Sequence, residues 1–577
     1  MARISLSRFA GASALVVAAL AAGSPAHAQM VRDEAPPPVV NFGVPEDAAV
    51  ADGAGDVTSA RDDARRPARP RVEVTPYIEV GQILSAQLNG GANDVLTYST
   101  VAVGVESQIA TRRARLAADV RYERRIDWDD PLGNNDILSG VVRGRFDVAQ
   151  GFALEGGALA SRASVDPRGG SADFGVGDRS NSATIYSVYA GPTFGRRIGD
   201  VDVGAAYRFG YSKAEIDAAT VLTPGATRVG AFDESTNHAA IASIGMRPGR
   251  MPFGWRLSGG WDREQSGQLD QRYDGMFGRL DLTLPVTPRL ALVGGVGYED
   301  IEVSFRQPLR NAGGQPVLDA AGRLVSDTSV PRAIAFDTSG LIWDAGVLYR
   351  PSRRMAVEAR VGRRYDDWTY TGSWSFQASR DTAYQLAVYD NLSTTGRQLS
   401  SGLAALPTDL VIGRNPIDGT LGGCAFGQGG GTCLVPTLGN ITGFAFRNRG
   451  AVLSMSTRMR PWDVGVGFGY DRRTYKAQGI VGIPGLDGAV DETLFAYLTA
   501  SRPIDERTAF TGSAYSTWFF SGLGQGDTIS AGASAALNHE FRPRLTGTAA
   551  VAFNAIDQEG FDPQSFASAL LGLRYSF

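Results

Sequence analysis

The usual catalytic side chains are scarce in this chain. Of its three histidines, His27 falls in a leader-like N-terminal stretch, which leaves His238 and His539. A hydrolase would need such a ring beside a hydroxyl nucleophile and a carboxylate. The two lie far apart in sequence, and by the phase of the surrounding pattern His238 sits near the external end of its segment and His539 near the periplasmic end, so a shared site is not expected. No His-Glu-x-x-His, phosphate loop, dinucleotide fingerprint or EF-hand spacing occurs, and the Gly-rich run 427 to 431 lacks the Lys-Ser/Thr of a phosphate cradle. The reading is therefore no catalytic residue, no metal and no cofactor. Two cysteines, Cys424 and Cys433, share a Gly-rich stretch without a histidine. In an oxidising compartment they are expected to pair as a loop staple rather than bind metal.

Charge is the chemistry that the spacing does organise. In 201 to 211 Val201, Val203, Ala205, Tyr207, Phe209 and Tyr211 share one face of an extended chain, and Asp202, Gly204, Ala206, Arg208 and Gly210 share the other. In 115 to 125 Leu116, Ala118, Val120 and Tyr122 oppose Arg115, Asp119, Arg121, Glu123 and Arg125. An Arg or Lys facing hydrocarbon at the bilayer midplane costs about 2 to 4 kcal/mol, so in a membrane the charged face must look inward. The same phase puts Arg143, Arg145, Asp147, Arg256, Arg279, Asp281, Asp344, Glu358, Arg360 and Arg574 on that face. These residues are candidates to line a pore, where rings of charge set selectivity. Alternatively, opposed charges on neighbouring strands pair and stiffen the wall.

The elements that would position them are transmembrane β-strands. Alternation runs from Val74 to the end, and no apolar run reaches the roughly 18 to 20 residues of a membrane helix although 43% of the chain is hydrophobic. The pattern predicts 22 strands, with 20 as the alternative, near 74–86, 95–107, 113–126, 136–148, 152–164, 182–194, 200–213, 236–247, 254–265, 272–284, 289–303, 336–350, 354–368, 370–379, 382–390, 447–460, 463–476, 491–502, 507–520, 528–541, 544–557 and 565–577. Short turns, such as those at 150–151, 196–198 and 460–462, alternate with long loops, notably 305–335 and 391–446. Tyr and Trp near segment ends, including Tyr122, Trp128, Tyr298, Tyr349, Trp368, Tyr370, Trp374, Tyr470, Tyr475 and Trp518, read as interfacial girdles. A soluble β-sandwich is the weaker reading, because it explains neither the short-long rhythm nor a chain end with Leu571, Leu573, Tyr575 and Phe577 on one face.

Residues 1–28 read as a signal peptide: Arg3 and Arg8 precede the apolar run from Phe9 to Ala22, and Ala26-His27-Ala28 is the cleavage site. Residues 29–72, rich in Pro, Asp, Ala and Arg, read as a flexible periplasmic arm leading to the barrel at 73–577. With 56 Lys+Arg against 60 Asp+Glu there is no field to attract nucleic acid, so none is expected as a partner. The expected partners are outer-membrane lipid, the barrel-assembly machinery and an envelope or polysaccharide-export component reached through 29–72.

The terminal strand resembles the insertion signal of outer-membrane proteins, which implies recognition by the assembly machinery through Leu571, Leu573, Tyr575 and Phe577. More broadly, Val-Thr-Pro-Tyr-Ile-Glu-Val at 74–80, Tyr-Gln-Leu-Ala-Val-Tyr-Asp-Asn-Leu-Ser-Thr-Thr-Gly at 384–396 and the two-cysteine loop resemble the β-barrel porin family of alphaproteobacteria. That resemblance implies an all-β transmembrane barrel with an envelope function, often linked to exopolysaccharide, and no site residues. A ring of 22 strands is roughly 40 Å across and would leak unless constricted. Residues 30–72 lack the apolar pattern of a globular plug, so a plug of the siderophore-transporter kind is not expected, which argues against the TonB-dependent receptor class. The loop 391–446 is expected either to fold into or over the pore or to stand as a solvated surface loop. The leading functional expectation is a porin-like channel or conduit for polar solutes, linked to polysaccharide export; the alternatives are a loop-closed barrel serving as surface receptor, adhesin or structural envelope protein, and, last, a barrel hydrolase.

Overall fold

The computed structural model describes residues 71–577 apart from 90–94, 129–134, 165–181, 217–231, 320–323, 409–410, 418, 428–429, 435–437, 440, 480–485 and 523–525. The expected leader, and the expected arm save Arg71 and Val72, lie outside these residues. We number the strands β1 to β25 in chain order. All but β16–β18 form one antiparallel sheet of 22 strands. It closes because β1 (Arg71–Asn89) pairs with β2 (Val95–Ala110) on one edge and with β25 (Gln564–Ser576) on the other. In hydrocarbon no water can satisfy a free strand edge, so closure is the condition for spanning a bilayer. Among the described residues, no helix is long and apolar enough to cross a membrane.

Side-chain alternation sorts the two faces. On β10 (Arg272–Thr287) Met276, Leu280, Leu282, Leu284 and Val286 are exposed, while Tyr273 and Arg279 between them are buried. The apolar residues thus face outward and the charged ones inward, the reverse of a soluble sandwich. Tyr122, Trp128, Tyr298, Tyr349, Trp368, Tyr370 and Tyr470 are exposed outward as girdle residues should be. Tyr475 is the exception, buried on the inner face with its hydroxyl donating to Asp491 Oδ2 at 2.6 Å.

Two expected boundaries need correction. The break expected at Thr369 falls at Tyr365 and Asp366, where both residues take positive φ and turn β13 (Met355–Arg364) into β14 (Asp367–Gln377). Thr369 is a buried mid-strand residue. Likewise Arg196, Arg197 and Ile198 belong to β6 (Ser182–Ile198), and the chain reverses at Gly199 with φ +63°. The expected long connection after β15 (Thr382–Ser393) is structured: it holds a helix α1 (Thr395–Ala405) and a separate three-stranded sheet of β16 (Val411–Arg414), β17 (Leu421–Gly427) and β18 (Gly430–Cys433) before β19 (Ala445–Met459). Replacing Leu280 by Arg should lower unfolding stability in phospholipid vesicles by about 2 to 4 kcal/mol, measured by urea titration.

Candidate functional site

The lumen is the site, and its wall is built from paired charge. Arg121 bridges Glu79 (2.9 Å) and Glu123 (2.8 Å), and Arg125 returns to Glu123 at 2.8 Å. Glu155 takes Arg143 at 2.9 Å and Arg145 at 2.5 Å, and Arg145 also reaches Asp147 at 3.1 Å. Farther round, Arg279 contacts Asp281 and Asp344, and Arg360 contacts Asp281, Asp344 and Glu358 within 3.0 Å. Asp202 pairs with Arg247 at 3.0 Å, and Arg574 pairs with Glu106 at 2.7 Å while lying over the Tyr77 ring. Arg143 and Arg208 both approach the Tyr189 ring, at 5.5 and 5.3 Å. Arg115 and Arg256 share the inner phase but are exposed, close to the short-turn end. Every charged residue expected to face inward therefore does so. Most sit in pairs, as burial of a guanidinium or carboxylate requires.

Into this wall folds the 394–444 connection. Leu399 and Leu403 of α1 are fully buried and pack with Val141, Leu159 and Ile185 from the barrel wall. Polar tethers flank that contact: Asn237 Nδ2 donates to Ser400 Oγ at 2.6 Å, Thr394 to Glu264, and Arg397 to Asp262 while lying 3.9 Å from the Tyr273 ring. At the far end of the loop Arg414 pairs with Asp119 at 2.6 Å, and Ile417 packs among Ile83, Tyr98 and Leu570. One connection thus touches widely separated strands from inside.

The small sheet seats against β19 and β20 (Trp462–Lys476). Gly431 and Ser454 exchange two hydrogen bonds, at 3.1 and 2.7 Å, and Phe426 stacks on Tyr497. Cys424 and Cys433 form a disulfide directly across β17 and β18. A Cβ on Gly467 would lie 2.6 and 2.7 Å from the two sulfurs, and one on Gly465 would meet the Phe426 ring at 2.5 Å. At 465 and 467 the inward phase of β20 is glycine because the loop occupies the space a side chain would fill, whereas Gly469 makes room for Phe495 of the neighbouring wall strand. Sequence reasoning missed this seat, and also missed Asp262, Glu264, Arg397 and Arg414. The glycines at 465 and 467 were the readable signal.

Outside the lumen, Asp270 clamps the two ends of the 306–332 connection, accepting from Arg306 Nε at 3.0 Å and Arg332 Nη1 at 2.7 Å. Burial tends to raise the Asp270 pKa, but hydrogen bonds from Gln265 and Arg306 and the charge of Arg332 hold it below the ordinary carboxylate value. Both histidines lie on the outward phase rather than in the lumen. His238 Nδ1 meets the Tyr207 hydroxyl at 2.7 Å, and His539 Nδ1 meets Thr508 Oγ1 at 3.0 Å. Among the described residues neither ring is hydrogen-bonded to a carboxylate, although Asp505 in the turn before Thr508 lies close enough to His539 to interact with it electrostatically, and no group of three or more His, Cys, Asp and Glu there could hold a metal.

The closed sheet, its apolar outer belt and its charged interior define an integral outer-membrane β-barrel. No family model matches the chain, so the porin resemblance gains no support there, and no curated protein matches it. Among solved structures it is similar to the ferric-catecholate import receptor Fiu of Escherichia coli K12, with 12% identity, 87% of this chain and 81% of that one covered, and a TM-score of 0.41. The FrpB iron transporter of Neisseria meningitidis gives 11% identity, 87% and 81% coverage and 0.40. The siderophore receptor PiuA of Acinetobacter baumannii gives 8%, 87% and 82%, and 0.41.

Substituting Arg360 by Ala removes a guanidinium shared by buried Asp344 and Glu358 and half-buried Asp281, and should cost about 3 to 5 kcal/mol in vesicle unfolding titrations. Arg256→Ala on the same face but exposed should change stability by less than about 0.5 kcal/mol. Because the Asp270 pKa is depressed on folding, its clamp is fully present above the unfolded value of about 3.9 and is lost as pH falls through the lower folded value. A spin label at Ala312 should accordingly gain mobility only below about pH 4, whereas in Asp270→Asn it should be mobile at every pH.

Proposed function

We propose that the protein is a loop-closed outer-membrane barrel of receptor or gated-transport type, in which a polar solute passes only when the 394–444 segment is displaced. The observation that carries this reading is the buried latch of that segment: Leu399 and Leu403 in an apolar seat, with Arg397 and Arg414 paired to wall carboxylates. Burying two leucines contributes about 3 to 6 kcal/mol, enough to keep a displaced state below a few per cent of the population. A porin-like channel that stands open is the second reading, favoured by the many paired charges of both signs along the wall, which suit a hydrated passage without strong ion preference. An adhesin or structural role without passage is the third.

Single-channel recording in a planar bilayer separates these readings. The native protein is expected to be silent or to flicker, a variant with 394–444 replaced by a short Gly-Ser linker should give large steady steps, and Leu399→Asp should open intermittently. Large steady steps in the native protein would establish the open channel instead, and silence in all three would leave the receptor or structural role without conduction.

A further inference from the structure

The outer wall carries a feature that the lumen does not explain. Its apolar belt is interrupted by a groove of about 510 Å³ whose floor includes Ala205, Ala242 and Gly259 and whose sides are Phe194, Tyr207 and Trp261. Strand register shows how it arises. Going round the barrel, Phe194 pairs with Ala205, Ala205 with Ala242, Ala242 with Gly259, and Gly259 with Gly278, so small side chains lie in one outward tier on four neighbouring strands. The next tier toward the short-turn end is large and aliphatic: Val203, Ile244, Leu257 and Leu280. The tier toward the long-loop end is Tyr207, Ala240, Trp261 and Met276. A depression in the middle of a lipid-facing belt, within the size range of ligand sites, loses dispersion contacts unless something fills it.

Charge decides what fills it. One tier farther toward the long loops stand His238, Arg263 and Asp274, joined by register. Asp274 is shared by two guanidiniums: Arg263 donates Nε at 3.0 Å and also Nη2, and Arg272 donates Nη2 at 2.6 Å. Arg263 lies over the Trp261 ring at 5.5 Å and is 43% exposed, and its contacts to Asp274 among the described residues run through Nε and Nη2. His238 is held at Nδ1 by Tyr207, which leaves Nε2 for another contact. The Arg263–Asp274–Arg272 trio carries one net positive charge immediately above the apolar groove, at the depth where headgroups lie, with exposed Glu234 farther along β8 toward the long loops. The acidic Asp300 and Glu302 belong to the next strand, β11 (Leu290–Phe305), beyond Met276 and Asp274, so the exposed cation nearest the groove is Arg263 on β9 (Gly254–Ser266), beside His238 on β8 (Glu234–Met246).

We propose that this groove is a specific lipid site: one acyl chain of an outer-leaflet lipid lies across Ala205, Ala242 and Gly259, and its anionic phosphate is held by Arg263 and His238. The combination of a small-residue trough, aromatic sides and a headgroup-level arginine suits a chain with a charged head. A second barrel would bring a convex apolar wall with no anionic group to meet Arg263.

The test uses the full mature protein, purified in detergent, stripped of lipid and observed by native mass spectrometry with dimyristoyl phosphatidylglycerol or dimyristoyl phosphatidylcholine. Phosphatidylglycerol should form a one-to-one adduct about fivefold tighter than phosphatidylcholine, the gain expected of one arginine at the membrane surface. Ala242→Leu, which fills the trough, should weaken both adducts about tenfold or more, and Arg263→Gln should abolish only the preference for phosphatidylglycerol. Ala205→Leu raises the floor from the neighbouring strand and serves if Ala242→Leu fails to fold. Adducts unchanged by either leucine variant, equal affinity for the two headgroups in the native protein, or a protein dimer abolished by Ala242→Leu in place of a lipid adduct would each overturn the proposal.

Discussion

Everything in this molecule follows from the absence of water beside a strand edge in hydrocarbon. A backbone donor or acceptor left free there costs several kcal/mol, and a sheet of any width has two edges full of them. The chain removes both by pairing its first strand with its last, Tyr77 opposite Ser576 through Asn89 opposite Ser565. The terminal Phe577 amide then donates to Pro76 at 2.9 Å, so the seam is held to the last residue. Closure also sets the outward phase of Leu571, Leu573 and Tyr575, which must meet lipid once Leu570 and Gly572 are turned inward.

The same closure creates a problem of volume. A ring of 22 strands encloses more space than side chains from its own wall can fill. Two devices occupy it. Long ionic side chains reach inward and settle in pairs, as in the cluster of Arg279, Asp281, Asp344, Glu358 and Arg360. Where the wall instead carries Gly465 and Gly467, the connection between β15 and β19 moves in with its disulfide and Phe426. The segment is held by a mixture of apolar burial and ion pairs. Each ion pair taken alone is nearly balanced by desolvation, whereas losing one partner leaves a buried charge exposed to no compensation, so such a latch resists partial release.

The outer face shows how a barrel records its surroundings. Where lipid is the only neighbour, Leu280, Leu282 and Leu284 present a continuous apolar surface. Between Phe194 and Trp261 that surface sinks, and above it two arginines, Arg263 and Arg272, share Asp274.

How much of this could be read from the residues depends on the range of the interaction. Strand existence, inward charge, the interfacial aromatics apart from Tyr475, and the cysteine pair were legible because each rests on alternation with a period of two or on near neighbours in sequence. The two misplaced turns were not: Tyr365 and Asp366 adopt a left-handed turn without a glycine, and β6 runs on through Arg196, Arg197 and Ile198 before Gly199 reverses the chain. The sequence alone thus determined a closed barrel with an apolar outside and a charged inside. Only the tertiary structure decided that the 394–444 loop lies within the lumen, which wall residues receive Arg397 and Arg414, and that Gly467 is small to admit a disulfide. Those choices join residues hundreds of positions apart, such as Asp119 and Arg414, and a two-residue period carries no information about which side chains meet once the sheet has closed on itself.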